Sequence, residues 1–248
     1  MDDSCSEKLV LITGGSRGIG KATCLLLASK GYQVALNYKT NQEAAQAVVD
    51  EIQAQKGKAI AFQADVSKEE EVERLFDQVT EAFGMTPTGL VNNAGVMEPM
   101  EKDICNISKE TLDKDLATNT YGPFFCTREF VKRASTKRGG KGGSIVNVSS
   151  ISADGGQVVA YAMSKAAMEA MVAGIAKTLP LEGIRINSVV PGLVDTGMAT
   201  PEQVEILSGY IPMRRAGEPR EIAQAIEYLL LDASSYCTGA KLRISGGL

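Results

Sequence analysis

The chain has 248 residues, 44% of them hydrophobic, which suffices for one sizeable core and predicts a single domain over residues 1–248. Its 26 basic and 30 acidic residues leave a net charge of −4, which gives no general attraction to nucleic acid or anionic membranes. The acidic start Met1-Asp2-Asp3-Ser4 and the lack of an apolar run approaching ~18 residues speak against a signal peptide and a membrane span, so a cytoplasmic protein is expected.

Leu9 to Ile12 is too short for a helix and lacks polar alternation, so it reads as a strand covered on both faces, hence part of a parallel sheet. After Thr13, glycines at 14, 18 and 20 allow a tight turn and expose the first N–H groups of a helix running from about Ile19 to Ser29. With a helix dipole worth roughly half a positive charge, that terminus favours a phosphate. The loop fails G-x-G-x-x-G because Arg17 stands where the second spacing needs glycine, and it misses a P-loop because Ala22 replaces the magnesium-binding hydroxyl. It fits T-G-x-x-x-G-x-G.

Further along, Gly31 stops the helix and Tyr32 to Tyr38 reads as the second strand. Thr40 with Glu43 predicts a capping box for a helix to Gln55, stopped by Gly57, and Lys58 to Gln63 forms the third strand. Ser67 with Glu70 repeats the box before Val72, Leu75, Phe76, Val79 and Phe83 at helical spacing, stopped by Gly84. Thr88 to Val91 is the fourth strand, followed by Asn92-Asn93-Ala94-Gly95 and a long helical region from about Glu110 to Ala134. The stretch from Ser135 to Gly143 is basic but lacks aromatics and reads as a solvated loop. Ser144 to Val148, Ile184 to Val190 and Ala240 to Ser245 read as strands five to seven, with helices over Val158 to Leu179 and from Pro219 to Leu231. The pattern predicts an α/β fold of Rossmann type, a doubly wound parallel seven-stranded sheet with helices on both faces.

Ligands of such sheets lie beyond the carboxyl ends of the strands, which is where Asp65-Val66, Asn92 to Gly95, Ser149-Ser150 and Pro191 to Thr196 fall. The chain has no histidine, which removes Ser-His-Asp triads and most catalytic zinc sites, and no metal is expected. Its five cysteines, at 5, 24, 105, 126 and 237, contain no C-x-x-C and suit reduced thiols. Proton transfer is left to Tyr, Lys, Cys or a carboxylate. Tyr161 and Lys165, four apart in a helical stretch, project from one face and follow Ser149-Ser150 at a strand end. Lowering a tyrosine from about 10 by ~3 units needs roughly 4 kcal/mol, part of which a neighbouring ammonium could supply.

Thr13 to Gly20, Asn92 to Gly95, Asn119, Ser150, Tyr161-x-x-x-Lys165 and Pro191-Gly192 to Thr196 stand in the order of the short-chain dehydrogenase/reductases, a family that this chain resembles over nearly its whole length. Ile211-Pro212-Met213 and the ending Ser245-Gly246-Gly247 are most similar to its 3-oxoacyl carrier protein reductases and sugar 1-dehydrogenases. The resemblance implies an oxidoreductase passing hydride between a nicotinamide dinucleotide and a ketone or secondary alcohol. In it Tyr161 would be the acid/base, Lys165 would lower its pKa and hold the nicotinamide ribose, Ser150 would steady the substrate oxygen, and Asn119 would complete a water-linked proton relay. It also implies that the dinucleotide contacts Gly14, Ser16, Arg17, Gly18, Ile19 and Gly20, then Asn37, Tyr38 and Lys39, then Asp65, Val66, Asn92, Ala94 and Gly95, and finally Pro191, Gly192, Val194 and Thr196. A homotetramer is expected by the same analogy. The rival reading is a dinucleotide-binding sensor or scaffold without turnover.

Ser150 precedes Tyr161 by eleven residues, two fewer than is common in the family, so the intervening loop is shortened and Ser149 is a fallback for the serine. The substrate pocket is expected from Asp154 to Val159 and from Gly197 to Tyr210. An NAD-binding chain usually carries Asp or Glu about 20 residues past the glycines. Here that position reads Asn37-Tyr38-Lys39, and with Arg17 nearby it predicts NADP(H). Just before Ile184, where the carrier protein reductases tend to offer a basic residue, Glu182 stands instead, so small free carbonyl compounds are expected to be preferred over carrier-bound chains.

Overall fold

In the structure, a computed structural model, residues 8–98, 101, 103–197 and 200–248 are described; the first residues of the chain, Cys5, Met198 and Ala199 lie outside them. Seven strands form one parallel sheet: β1 (Leu9–Ile12), β2 (Gln33–Tyr38), β3 (Ala59–Gln63), β4 (Gly89–Asn92), β5 (Gly143–Val148), β6 (Ile184–Pro191) and β7 (Lys241–Ile244). Their order is β3-β2-β1-β4-β5-β6-β7, so the direction of winding reverses between β1 and β4. Register there is direct, with Leu11 opposite both Ala35 of β2 and Leu90 of β4.

Alternation along β1 divides the core in two. Val10 and Ile12 pack with Cys24 and Leu27 of α1 (Gly18–Ser29), with Val48 and Ile52 of α2 (Gln42–Ala54) and with Ile222 and Ile226 of α8 (Pro219–Leu230). Leu9 and Leu11 face Val72, Leu75 and Phe76 of α3 (Glu69–Phe83), Cys126 and Phe130 of α5 (Gly122–Ala134) and Val172 of α6 (Val159–Ile175). All four β1 residues are buried, as expected for a strand covered on both faces. Among the described residues no helix is long and apolar enough to cross a membrane.

Several local expectations are corrected. The cap of α2 is Asn41, whose Oδ1 accepts the Ala44 N–H at 2.9 Å, and not Thr40; asparagine is among the best caps. At α3 the Ser67 hydroxyl is spent on Asp65 Oδ1 at 2.7 Å, Lys68 occupies the cap, and Glu69, Glu70 and Glu71 supply the favourable first-turn charge. Past α2 it is Lys56 that turns left-handed, at φ 63°, while Gly57 is required by space, since a Cβ there would lie 2.7 Å from Ile52. The long fourth helical region is three pieces: α4 (Lys109–Leu116), a π turn over Ala117–Tyr121, and α5. The helix expected to reach Leu179 ends at Ile175, and a separate 3-10 turn covers Leu179–Glu182, because Pro180 can neither donate to a continuing helix nor fit beside its carbonyls. A helix not foreseen, α7 (Pro201–Ser208), follows β6.

Gly84 ends α3 in the left-handed region at φ 68°, and a Cβ there would meet nothing within 4 Å. Gly174, inside α6, is equally open. Gly84→Ala should therefore lower stability by about 1 kcal/mol through backbone strain alone. Gly174→Ala should raise it by about 0.5–1 kcal/mol through helix propensity. Urea unfolding of both variants reads the two signs.

Candidate active site

The loop after β1 is held by its own sequence. Gly14 is left-handed at φ 64°, and a Cβ there would lie 2.9 Å from Ala94 Cα. On Gly20 it would lie 2.3 Å from the Gly14 carbonyl oxygen, so the first turn of α1 rests directly on the loop. The Thr13 hydroxyl accepts the N–H groups of Asn93 and Ala94, each at 3.0 Å, while Asn93 Nδ2 donates to the carbonyls of Thr13 and Gly14 at 2.9 and 3.0 Å. The segments after β1 and β4 are thereby one unit. Gly18 faces Thr196, which brings the segment after β6 to the same place. The N–H groups of the first turn of α1 have no helical partner, Arg17 beside them is exposed, and Ser16 and Ile19 are half-buried, so an anionic group finds donors and a positive dipole end here.

Beyond β2 the expected cofactor residues separate. Asn37 is buried, with Oδ1 accepting the Gly14 N–H at 3.4 Å and Nδ2 donating to the Ala64 carbonyl at 3.0 Å, so its side chain braces the loop rather than facing a ligand. Tyr38 is buried as well. Lys39 is exposed, and its Nζ lies 2.8 Å from Asp65 Oδ2. Burial pushes the Asp65 carboxyl up, but hydrogen bonds from Lys39 and Ser67 hold it below its ordinary value. Asn92, also expected at the cofactor, is turned into the core: Nδ2 donates to Asn147 Oδ1 at 2.9 Å and to Thr127 Oγ1 at 3.2 Å.

The candidate catalytic groups converge beside β5. Ser150 follows the strand; its Oγ accepts the Ser152 N–H at 3.1 Å, and its hydroxyl is near enough to Tyr161 to lower the phenol. Ser149, the fallback, is buried, and its oxygen has no partner among the described residues. Tyr161 stands in the first turn of α6. Lys165, one turn on, is buried; its Nζ donates to the Val148 carbonyl at 2.8 Å and lies 5.6 Å from the Tyr161 ring centroid. Burial pushes the Lys165 ammonium down to about 8, opposed by the carboxylates of Glu169 and Asp115. Burial also raises the Tyr161 phenol; the Ser150 hydrogen bond lowers it and Asp115 raises it. The balance holds the tyrosine above its ordinary value.

Asn119 sits within the π turn, fully buried. Its Nδ2 donates to the Val96 carbonyl at 2.8 Å and to Ser164 Oγ at 3.0 Å, and its Oδ1 accepts the Val96 N–H at 2.9 Å. A Cβ on Gly95 would lie 3.3 Å from Asn119 Oδ1 and 3.6 Å from Lys165 Nζ, which places Gly95, Asn119 and Lys165 together. After β6, the Gly192 N–H donates to the Ile244 carbonyl at 2.9 Å, and Val194 bridges Gly217, which fixes the approach to Thr196. Thr13, Asn93 and Ser164 went unassigned in the sequence although the first two lie inside its motifs. Asp115 and Glu169 carried no signal, since nothing in the spacing says that these helix carboxylates point inward.

Residues 14–248 match the family model described as Enoyl-(Acyl carrier protein) reductase. The chain is 43% identical to the uncharacterized oxidoreductase YgfF of Escherichia coli over 96% of this chain and 99% of that one. It is 35% identical to a 3-oxoacyl-[acyl-carrier-protein] reductase of Synechocystis over 98% and 97% of the two chains. A solved short-chain dehydrogenase/reductase from Serratia marcescens superposes with a TM-score of 0.89 at 32% identity, covering 98% of both chains.

Proposed function

The chain belongs to the short-chain dehydrogenase/reductase family and is an oxidoreductase of it; from that premise we propose an NADP(H)-dependent enzyme that interconverts ketones and secondary alcohols, with Tyr161 as acid/base. The observation that carries this reading is Lys165, buried with its Nζ 5.6 Å from the Tyr161 ring centroid and bonded to the Val148 carbonyl, with Ser150 beside the same phenol. A sensor would have no need of a lysine buried beside a phenol, at a cost in desolvation.

The residues fit a dinucleotide: the cradle between Gly14, Gly18 and Thr196 closes if a side chain is added, and the start of α1 offers free N–H groups. Bound nicotinamide dinucleotide supplies or accepts the hydride. In the reducing direction the Tyr161 hydroxyl gives its proton to the substrate oxygen, and solvent later restores that proton. Ser150 donates a hydrogen bond to the same oxygen, where negative charge develops. Lys165, charged below a pH of about 8, stabilises the phenolate left on Tyr161. The exposed Arg17 and Lys39 support NADP(H), since β2 itself ends without a carboxylate and the nearby Asp65 is paired with Lys39 at 2.8 Å. The same reading makes the enzyme a cytosolic homotetramer. Unpaired Cys24, Cys105, Cys126 and Cys237 fit the compartment, and the exposed Tyr121 and Phe124 are apolar surface for a subunit contact.

Tyr161→Phe keeps the ring and removes only the hydroxyl, so turnover should fall by ~10²- to 10⁴-fold with NADPH affinity almost unchanged. Lys165→Ala should damage both. Turnover and NADPH binding measured side by side on wild type and both variants decide; Tyr161→Phe turning over like wild type removes the assigned acid/base, and a wild type that binds NADPH but turns over no carbonyl in a broad panel favours the sensor.

Replacing Arg17 and Lys39 together should weaken NADPH binding by at least tenfold, about 1.4 kcal/mol, and NADH binding far less. A wild-type preference for NADH would overturn the assignment.

A carrier protein's acidic surface needs basic partners, but here the acidic Glu182 stands before β6 and accepts the Ser135 hydroxyl at 2.5 Å, with Lys137, Arg138 and Lys141 exposed only on the adjoining loop. In competing kinetics, free small carbonyl compounds should outperform carrier-bound acyl chains.

A further inference from the structure

A row of polar side chains crosses the sheet in register: Asn92 of β4 lies opposite Asn147 of β5, Asn147 opposite Ser188 of β6, and Ser188 opposite Lys241 of β7. Register partners in a parallel sheet share a face, and the Asn92 bond to Thr127 of α5 identifies it as the face under α5 and α6. The row ends at the edge strand, where Lys241 Nζ lies 3.2 Å from Glu169 Oε2 on α6. Glu169 is only 4% exposed, and neither of its oxygens has a hydrogen-bond partner among the described residues beyond that ion contact. It stands one turn after Lys165, so the two side chains leave the same side of α6, and Lys165 is 3% exposed. A carboxylate this deep is costly unless opposite charge faces it. The half-exposed Lys241 supplies part of that charge from solvent, and Lys165 is the buried cation on the other side.

We propose that Glu169 is a positioning residue for Lys165: its buried carboxylate, anchored by Lys241 of the edge strand, is the counter-charge that keeps the Lys165 ammonium charged beside Tyr161. The proposal rests on the reading of Tyr161 and Lys165 as the proton-transfer pair. The groups facing Lys165 are Tyr161 and Glu169 from α6, Asp115 from α4 and the Val148 carbonyl from β5, while Lys241 of β7 faces Glu169. Asp115 acts on both members of the pair, favouring charge on the lysine and disfavouring it on the tyrosine. Glu169 bears on the lysine alone. Of the two carboxylates it opposes the burial of Lys165 the more strongly, so its neutralisation carries the lysine further below about 8. The ammonium is then lost at lower pH, and with it the stabilisation of the Tyr161 phenolate.

The test titrates Lys165 Nζ by NMR in the full chain labelled with ¹⁵N-lysine, assigned through Lys165→Met, alongside the pH profile of carbonyl reduction. Glu169→Gln should lower the Lys165 midpoint by about half a unit or more and move the alkaline limb of kcat down with it. Glu169→Asp, which keeps the charge, should hold both near wild type. An unmoved midpoint in Glu169→Gln, or equal shifts in the two variants, overturns the proposal. If Glu169→Gln does not fold, Glu169→Gln/Lys241→Met removes the pair without stranding either charge. Its midpoint should still fall, and an unmoved midpoint there overturns the proposal too. Full activity of Tyr161→Phe would instead defeat the catalytic reading and leave the NMR midpoint to judge Glu169.

Discussion

The first turn of α1 rests on the carbonyl oxygen of Gly14, where a methyl group at residue 20 would approach to 2.3 Å, and Asn93 Nδ2 holds that oxygen at 3.0 Å beside the same spot. Every other part of the site takes its place from this contact. It sits where β1 and β4 part and the winding reverses, so the strand ends diverge and leave room for a ligand. The Thr13 hydroxyl accepts two backbone N–H groups from the β4 side, and either of them left unpaired would cost ~1–3 kcal/mol. The same unit carries Ala94 and Gly95 forward to Asn119, whose side chain binds both polar groups of Val96 and reaches Ser164 on α6. A continuous chain of hydrogen bonds therefore links the glycine loop to the helix that bears Tyr161 and Lys165.

That helix stores an electrostatic cost. Bringing a lysine from 10.5 to about 8 opposes folding by roughly 3 kcal/mol at neutral pH. The sign follows from proton counting: the folded chain binds this proton less tightly than the unfolded one, so the penalty is full below about 8 and fades as the pH rises through 10.5. The Val148 carbonyl and the carboxylates of Glu169 and Asp115 keep the penalty from growing. Desolvation likewise raises the Tyr161 phenol, opposed by the Ser150 hydroxyl and reinforced by the Asp115 carboxylate.

Periodicity made the sheet legible, because a seven-stranded parallel core needs short apolar runs separated by helical ones, and the strand boundaries fell within a residue or so. The glycine loop and the Tyr161–Lys165 pair were legible because their spacing is local: four residues on a helix place two side chains together wherever the helix lies. Asn37 and Asn92 were misread for the opposite reason. Both stand at strand ends in sequence, but strand register turns each inward, Asn37 to Ala64 and Asn92 to Asn147. The π turn at Asn119 and the inward carboxylates of Asp115 and Glu169 depend on how α4 and α6 dock, which no short spacing records.

The shortened approach to Tyr161 shows how a local bond can replace a longer loop. Ile151–Asp154 forms a 3-10 turn that begins at Ser150, and the Ser150 oxygen accepts the Ser152 N–H to cap it. The same hydroxyl lowers the Tyr161 phenol, so the cap that closes the short turn also holds the serine near the tyrosine. Ser149, one residue earlier, still belongs to the sheet: its N–H donates to the Val189 carbonyl at 2.9 Å, and its side chain is buried. Extended backbone sends neighbouring side chains to opposite faces. With Ser149 directed into the core, Ser150 is the one turned toward Tyr161. Deleting loop residues beyond the turn therefore changes what surrounds the tyrosine without moving the hydroxyl that touches it.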